Sequence, residues 1–134
     1  MHLEETYIPE EYLDEIEDDI YWENDENPVF YLAVQAILHK GKEAVCYAVD
    51  IMPFEGEDDE WEEVMGALEN KGYDTDGYGW ESYLTDYIGH NNPGLAARVE
   101  CDSESDTCGL YVLDNLEDYE ALLGSISTAV RELL

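Results

Sequence analysis

The chain has 134 residues, and its 35 Asp and Glu against 5 Lys and Arg give a formal net charge of −30. A 45% hydrophobic fraction with 11 Tyr and 3 Trp excludes an acidic disordered chain, because such chains are poor in aromatic residues. The charge repels nucleic acid and anionic membranes and attracts cations and basic proteins. The alternative to a basic partner is that the negative charge serves only solubility, or reflects a salt-adapted proteome in which many proteins are acidic.

The acids are concentrated in two stretches. Residues 1–27 form an acidic lead without Lys or Arg, and near-helical spacing of its apolar residues predicts a short helix over residues 10 to 21. The second stretch lies mid-chain and comprises Glu55, Glu57, Asp58, Asp59, Glu60, Glu62 and Glu63. No linker or repeat divides the chain, so we expect a single domain over residues 1–134.

A hairpin is predicted after Pro28. Residues 29–38 are β-branched, aromatic or small and are typical of a buried strand, although their Ala and Leu also permit a helix. Residues 43–52 alternate apolar and other side chains, as a strand with one buried face does. The intervening turn is centred on Gly41, so the two strands should pair antiparallel at the sheet centre.

Three further helices are predicted. Asp58 or Asp59 can cap the first, whose apolar positions 61, 64, 65 and 68 share one face and which should end at Gly72. The second begins at Trp80 and ends at Gly89, and a further turn covers residues 93–97. The C-terminal helix shows helical spacing in Leu116, Tyr119, Leu123, Ile126, Val130 and Leu133.

A second hairpin joins residues 99–101 to residues 109–113 around a polar turn. Together the hairpins and helices predict an α+β fold, in which an antiparallel sheet of about four strands is packed with three to four helices. No apolar run approaches the roughly 20 residues that span a bilayer, and residues 1–5 do not resemble a signal peptide. We therefore expect a cytoplasmic location.

Catalytic and metal-binding signals are weak. None of the three His lies in a recognised catalytic or zinc motif, and carboxylates are so abundant that no pair stands out as an acid–base couple. The three Cys are expected to stay reduced, although Cys101 and Cys108 flank a turn and could face each other. We predict a protein that is not an enzyme and needs no cofactor or metal.

The loop that begins at Asp74 partly matches a calcium-binding loop. Counted from Asp74, it offers Asp76 at the third position and Gly79 at the sixth, but Thr85 stands where the bidentate glutamate belongs. Specific calcium binding is therefore not the favoured interpretation.

A docking surface is the favoured interpretation of the acids. Acidic patches accelerate association with basic proteins, and interface hot spots favour Trp and Tyr. Trp61 fits the apolar stripe of its helix and should be buried, whereas Trp22 and Tyr78 fit no stripe and are candidate exposed anchors. The predicted partner-binding residues are Trp22, Glu55, Glu57, Asp58, Asp59, Glu60, Asp74, Asp76 and Tyr78.

The segment KGYDTDGYGWESYL, residues 71–84, resembles the G-Y-x-x-N-G-Y-x-W-E-x-L core of the immunity protein 51 family of bacterial polymorphic toxin and contact-dependent inhibition systems. The similarity extends over residues 57–134, with Asp76 in place of Asn and Gly79 in place of a polar residue. Trp80, in the matched motif, should pack inward.

The resemblance implies a small cytoplasmic α+β protein that binds a cognate toxin domain and neutralises it. Self-repulsion at a charge of −30 favours a monomer, which would bind the toxin 1:1. A nuclease toxin would present a basic cleft, because phosphate neutralisation dominates its affinity for nucleic acid. The alternative is a DNA mimic whose carboxylates block a DNA-binding protein. An enzyme is the third hypothesis.

Overall fold

An antiparallel five-stranded sheet with the order β1-β2-β3-β5-β4 forms one layer of the fold. This computed structural model describes residues 20–24 and 26–134. The strands are β1 (Ile20–Asn24), β2 (Phe30–His39), β3 (Lys42–Ile51), β4 (Glu100–Cys101) and β5 (Cys108–Leu113). The helices are α1 (Asp59–Asn70), α2 (Gly77–Asn91), α3 (Pro93–Ala96) and α4 (Leu116–Glu132), and a 3₁₀ turn covers Pro53–Glu55. The predicted α+β class is confirmed.

The β2–β3 hairpin has the predicted turn. Lys40 and Gly41 both have positive φ, 52° and 80°, which is the conformation of a two-residue turn that matches strand twist. The strands pair continuously from Phe30 opposite Ile51 to His39 opposite Lys42. The alternative helix for residues 29–38 is therefore wrong, because these residues bond across to β3 rather than along their own segment.

β1 is a fifth strand that the sequence did not predict. It pairs antiparallel with β2, with Trp22 opposite Val34 and an irregularity between Ile20 and Trp22. The acidic helix predicted over residues 10 to 21 lies outside the described residues, except for its last two residues, which belong to β1. Its predicted end is wrong because Tyr and Trp favour strands and because the edge of β2 offers unpaired backbone groups.

The core lies between one face of the sheet and the helices. Alternate residues of the central strand β3, such as Val49 and Ile51, are fully buried, as are Leu84 of α2 and Leu122 of α4. Burial of each such side chain contributes about 1.5–3 kcal/mol. Within residues 20–24 and 26–134, no helix combines the length and apolar character that crossing a bilayer requires.

The helix ends show how the predicted boundaries shift. α1 ends as predicted, with Gly72 at φ 93°, but α2 begins at Gly77, not Trp80, because the Asp76 carboxylate accepts a hydrogen bond from the Gly79 N–H at 2.8 Å. Gly89 does not end α2, since the helix continues to Asn91. Gly89 does not have the positive φ of a glycine that ends a helix, so the helix can continue through it.

One bidentate ion pair joins the segment after α3 to the first turn of α4. Arg98 donates from Nε and Nη2 to the two Asp118 carboxylate oxygens at 2.7 and 2.9 Å. Hydrogen bonding to Arg98 lowers the pKa of Asp118 below its ordinary value. The pair therefore keeps a carboxylate charged in a position where little of it meets water.

Cys46, Cys101 and Cys108 are free thiols. Cys101 lies opposite Leu110 in the β4–β5 pairing, so it does not face Cys108 directly. Burial raises the pKa of Cys46 and Cys101 to about 11 and that of Cys108 to about 12. All three thiols are therefore protonated, and weakly nucleophilic, at neutral pH.

Substitution by alanine at two glycines of α2 should change the stability of the fold in opposite directions. A Cβ at Gly79 would collide with the Asp74 carbonyl, whereas a Cβ at Gly89 meets nothing within 4 Å. We expect Gly79→Ala to destabilise the fold by about 1–3 kcal/mol, the usual effect of overpacking. Gly89→Ala should stabilise it by about 0.5–1 kcal/mol through helix propensity. Urea unfolding measures both, and equal effects would contradict the packing of Asp74 on α2.

Candidate protein-binding surface

The start of α1 carries a concentrated group of acids. We call it the α1 acidic cluster, and it comprises Glu55, Glu57, Asp58, Asp59 and Glu60, all of which are exposed. Asp58 differs from the others, because its carboxylate accepts a 2.7 Å hydrogen bond from the Trp61 N–H and caps the helix. The exposure of the cluster is confirmed, and of the two predicted caps, Asp58 and Asp59, Asp58 is the one that caps α1.

Trp61 lies beneath this cluster and is buried, as predicted. Its indole N–H donates to the Pro53 carbonyl at 2.7 Å, and its ring meets Phe30 edge-on with centroids 6.0 Å apart. It also stacks on Trp80, with centroids 5.4 Å apart and an interplanar angle of 9°. The stack places the first turn of α1 beside the first turn of α2.

The other predicted contact residues lie at the start of α2. Tyr78 is 53% exposed, which confirms its predicted exposure. Asp74 is exposed, but its backbone packs against Gly79, and the Asp76 carboxylate caps the helix. Asp76 is therefore a structural residue first, and its bond to the Gly79 N–H explains the spacing that resembles a calcium loop.

Trp22 cannot be placed as an anchor. Its backbone belongs to β1, but its side chain lies outside what the structure describes. The prediction that it contacts a partner stays a prediction.

A groove beside the α1 acidic cluster was not predicted. It has a volume of about 430 Å³ and lies between the β1–β2 connection, the start of α1 and the end of α4. Its apolar lining includes Phe30, Leu32, Val64 and Leu134. Three segments far apart in sequence form it, so no local pattern indicates it.

Phe54 is the second feature that sequence reasoning missed. It is 61% exposed in the 3₁₀ turn before α1, between the buried Pro53 and the exposed Glu55. A signal existed, because Phe54 belongs to no apolar stripe and is followed by the acids Glu55 and Glu57. It is an exposed aromatic residue next to the α1 acidic cluster, where an interface anchor would be expected.

A tyrosine-rich cleft of about 400 Å³ lies at the opposite end of α2. Tyr73 donates its hydroxyl to Asp86 at 2.8 Å, and Tyr83 donates to the Ala129 carbonyl at 2.6 Å. The hydrogen bond to Asp86 raises the pKa of Tyr73, and burial raises the pKa of Tyr83 to about 12. Both phenols are therefore protonated at neutral pH, and each donates its proton to a hydrogen bond within the fold.

Metal ligands do not converge in the described part of the chain. Within residues 20–24 and 26–134, no group of three or more His, Cys, Asp or Glu side chains is arranged to hold an ion. The carboxylates of the α1 acidic cluster are instead spread over an exposed surface.

Comparisons of this chain with protein-family models, with curated proteins and with solved structures give no match. The resemblance to the immunity protein 51 family therefore stays a prediction from the sequence.

A comparison of two acids separates capping from surface charge. Asp58→Ala should destabilise the protein by about 0.5–2 kcal/mol, because the Trp61 N–H loses its acceptor. Glu57→Ala removes the same charge from an exposed position and should change stability by no more than about 0.5 kcal/mol. Thermal unfolding of the two variants side by side measures the difference. Equal losses would show that charge, rather than the cap, matters here.

Proposed function

We propose that this protein is an immunity protein that binds a cognate bacterial toxin domain 1:1 in the cytoplasm and neutralises it. The observation that carries the proposal is the exposed α1 acidic cluster beside the exposed Phe54. Charge for attraction and an aromatic residue for affinity thus lie on one surface. The sequence resemblance over residues 71–84 supports the same function.

The charge suits a basic partner such as a nuclease domain. The net charge of −30 is attracted to the positive cleft of a nuclease, so association is steered electrostatically. Association rate constants of about 10⁸–10⁹ M⁻¹s⁻¹ are then attainable at low salt. An inhibitor bound at or near that cleft would exclude nucleic acid. Inhibition by binding alone requires no catalytic group in this chain.

The partner can be captured directly. Tagged protein is bound to an extract of its native cells, washed at about 0.5 M salt, where the Debye length is roughly 4–5 Å, and the retained proteins are identified by mass spectrometry. One stoichiometric partner that carries a toxin domain, whose activity the protein abolishes at 1:1, is the expected result. A spread of basic DNA-binding proteins that salt removes would favour a DNA mimic instead and overturn the immunity proposal.

Phe54 supplies the second test of the proposal. If Phe54 becomes buried on binding, Phe54→Ala should speed dissociation of the captured partner about tenfold, which corresponds to about 1.4 kcal/mol. The same change should leave stability nearly unaltered, because the side chain is 61% exposed. Surface plasmon resonance measures the off-rate, and thermal unfolding of Phe54→Ala is the control that the variant keeps its fold. An unchanged off-rate in Phe54→Ala would remove Phe54 from the interface.

A further inference from the structure

We propose that the groove between the β1–β2 connection, α1 and α4 is the docking site for a basic segment of the partner that carries both Lys or Arg and apolar side chains. This inference rests on the proposed function and specifies which surface performs it. The groove is the concave feature next to the α1 acidic cluster and shares Glu57, Asp58 and Glu60 with it.

The floor of the groove is the edge of the hydrophobic core. Phe30 and Leu32 of β2 and Val64 of α1 line it, and each is only 2% exposed overall. Leu134, 56% exposed, forms part of the wall after α4. The accessible apolar carbon of the groove is therefore mainly that of Leu134 and of the exposed Pro28, above a floor of buried core side chains.

The rim of the groove is acidic. Glu26 stands on the β1–β2 side, and Glu57 and Glu60 stand on the α1 side, all exposed. Arg131 of α4 is the basic residue in the lining, and its guanidinium lies along its own helix, where Nη2 donates to the Thr128 hydroxyl at 3.3 Å. The rim thus carries more negative than positive charge from two sides.

This combination selects the occupant by its chemistry. A Lys or Arg side chain lays its aliphatic stem on an apolar surface while its charged head reaches acids or water. At about 430 Å³ the groove is at the small end of ligand-sized pockets, so it accommodates a short stretch of a few side chains. A second copy of this chain is disfavoured, because each copy carries a charge of −30.

Two double variants separate the groove from bulk charge. Glu57→Gln with Glu60→Gln, the rim variant, neutralises the two rim carboxylates on the α1 side and leaves Glu26. Glu62→Gln with Glu63→Gln neutralises two exposed acids of α1 that do not line the groove. Both variants lose the same charge from the same part of the chain. All four side chains are exposed, so each variant should fold normally.

The experiment is an NMR titration of the isotope-labelled full chain, at physiological salt, with a hexapeptide of alternating arginine and leucine. We expect amide shifts at Glu26, Gly56, Glu57 and Leu134, all in the groove lining. The rim variant should bind the peptide about fivefold more weakly, as expected for lost charge pairs, while the Glu62/Glu63 variant changes affinity less than about twofold. A peptide of alternating arginine and serine should bind more weakly than the leucine peptide, because it lacks apolar side chains to pack against Leu134 and Pro28.

Several results would overturn the proposal that the groove is the docking site. One is an equal loss of peptide affinity in both double variants, and another is amide shifts confined to the tyrosine-rich cleft or spread over all acidic surfaces. The others are no binding of the leucine peptide, or a dimer in sedimentation that the peptide dissociates. The capture experiment tests the proposed function separately. A partner held equally well by the wild type and the rim variant would remove the groove from the interface and leave the immunity function standing.

Discussion

The contacts of Trp61 hold together the parts of the molecule on which the candidate surface depends. Its backbone N–H fixes the start of α1 through Asp58, its indole N–H fixes the 3₁₀ turn through the Pro53 carbonyl, and its ring joins β2 and α2 through Phe30 and Trp80. Because Phe54 follows Pro53 directly, the same contacts set the position of the exposed aromatic residue. Trp61 also lines the groove, so core packing and surface shape are coupled at this residue.

The structure tolerates its charge by keeping carboxylates out of the core. Apolar side chains fill the space between sheet and helices, and the charged carboxylate of Asp118, which is buried, forms an ion pair with Arg98. Asp58 and Asp76 stabilise helix starts, because the carboxylate of each accepts a hydrogen bond from a backbone N–H of the first turn. The helix dipole also favours negative charge at that end. Most other acids at the start of α1 stabilise nothing by contact, and their mutual repulsion lowers stability.

Local sequence patterns predicted much of this fold, because helices and hairpins with one apolar face leave a period in the sequence. The α4 stripe, the β2–β3 turn and the Gly72 helix end were predicted correctly for that reason. β1 was missed because its pairing with β2 is a tertiary interaction that overrides an acidic, helix-like context. The start of α2 was misplaced because the Asp and Gly residues of 74–79 indicate a loop, whereas Asp76 caps a helix there. Of the candidate site, the exposure of the acids was predictable, whereas the groove was not, since it arises where three distant segments meet.

The distribution of structural roles among the acids argues for the side of α1 on which a partner would bind. An acid that caps a helix already has its carboxylate hydrogen-bonded, so bringing a cation to it gains less than bringing one to a carboxylate solvated only by water. Glu57 and Glu60 are exposed and border an apolar floor, where a partner's side chain would exclude water and strengthen the charge attraction. Acids on the rest of α1 face open solvent, where screening limits each pair to about 1 kcal/mol or less. In the proposed complex, steering by the whole negative surface and affinity from one groove are therefore separable contributions, the first sensitive to salt and the second to the shape that Trp61 maintains.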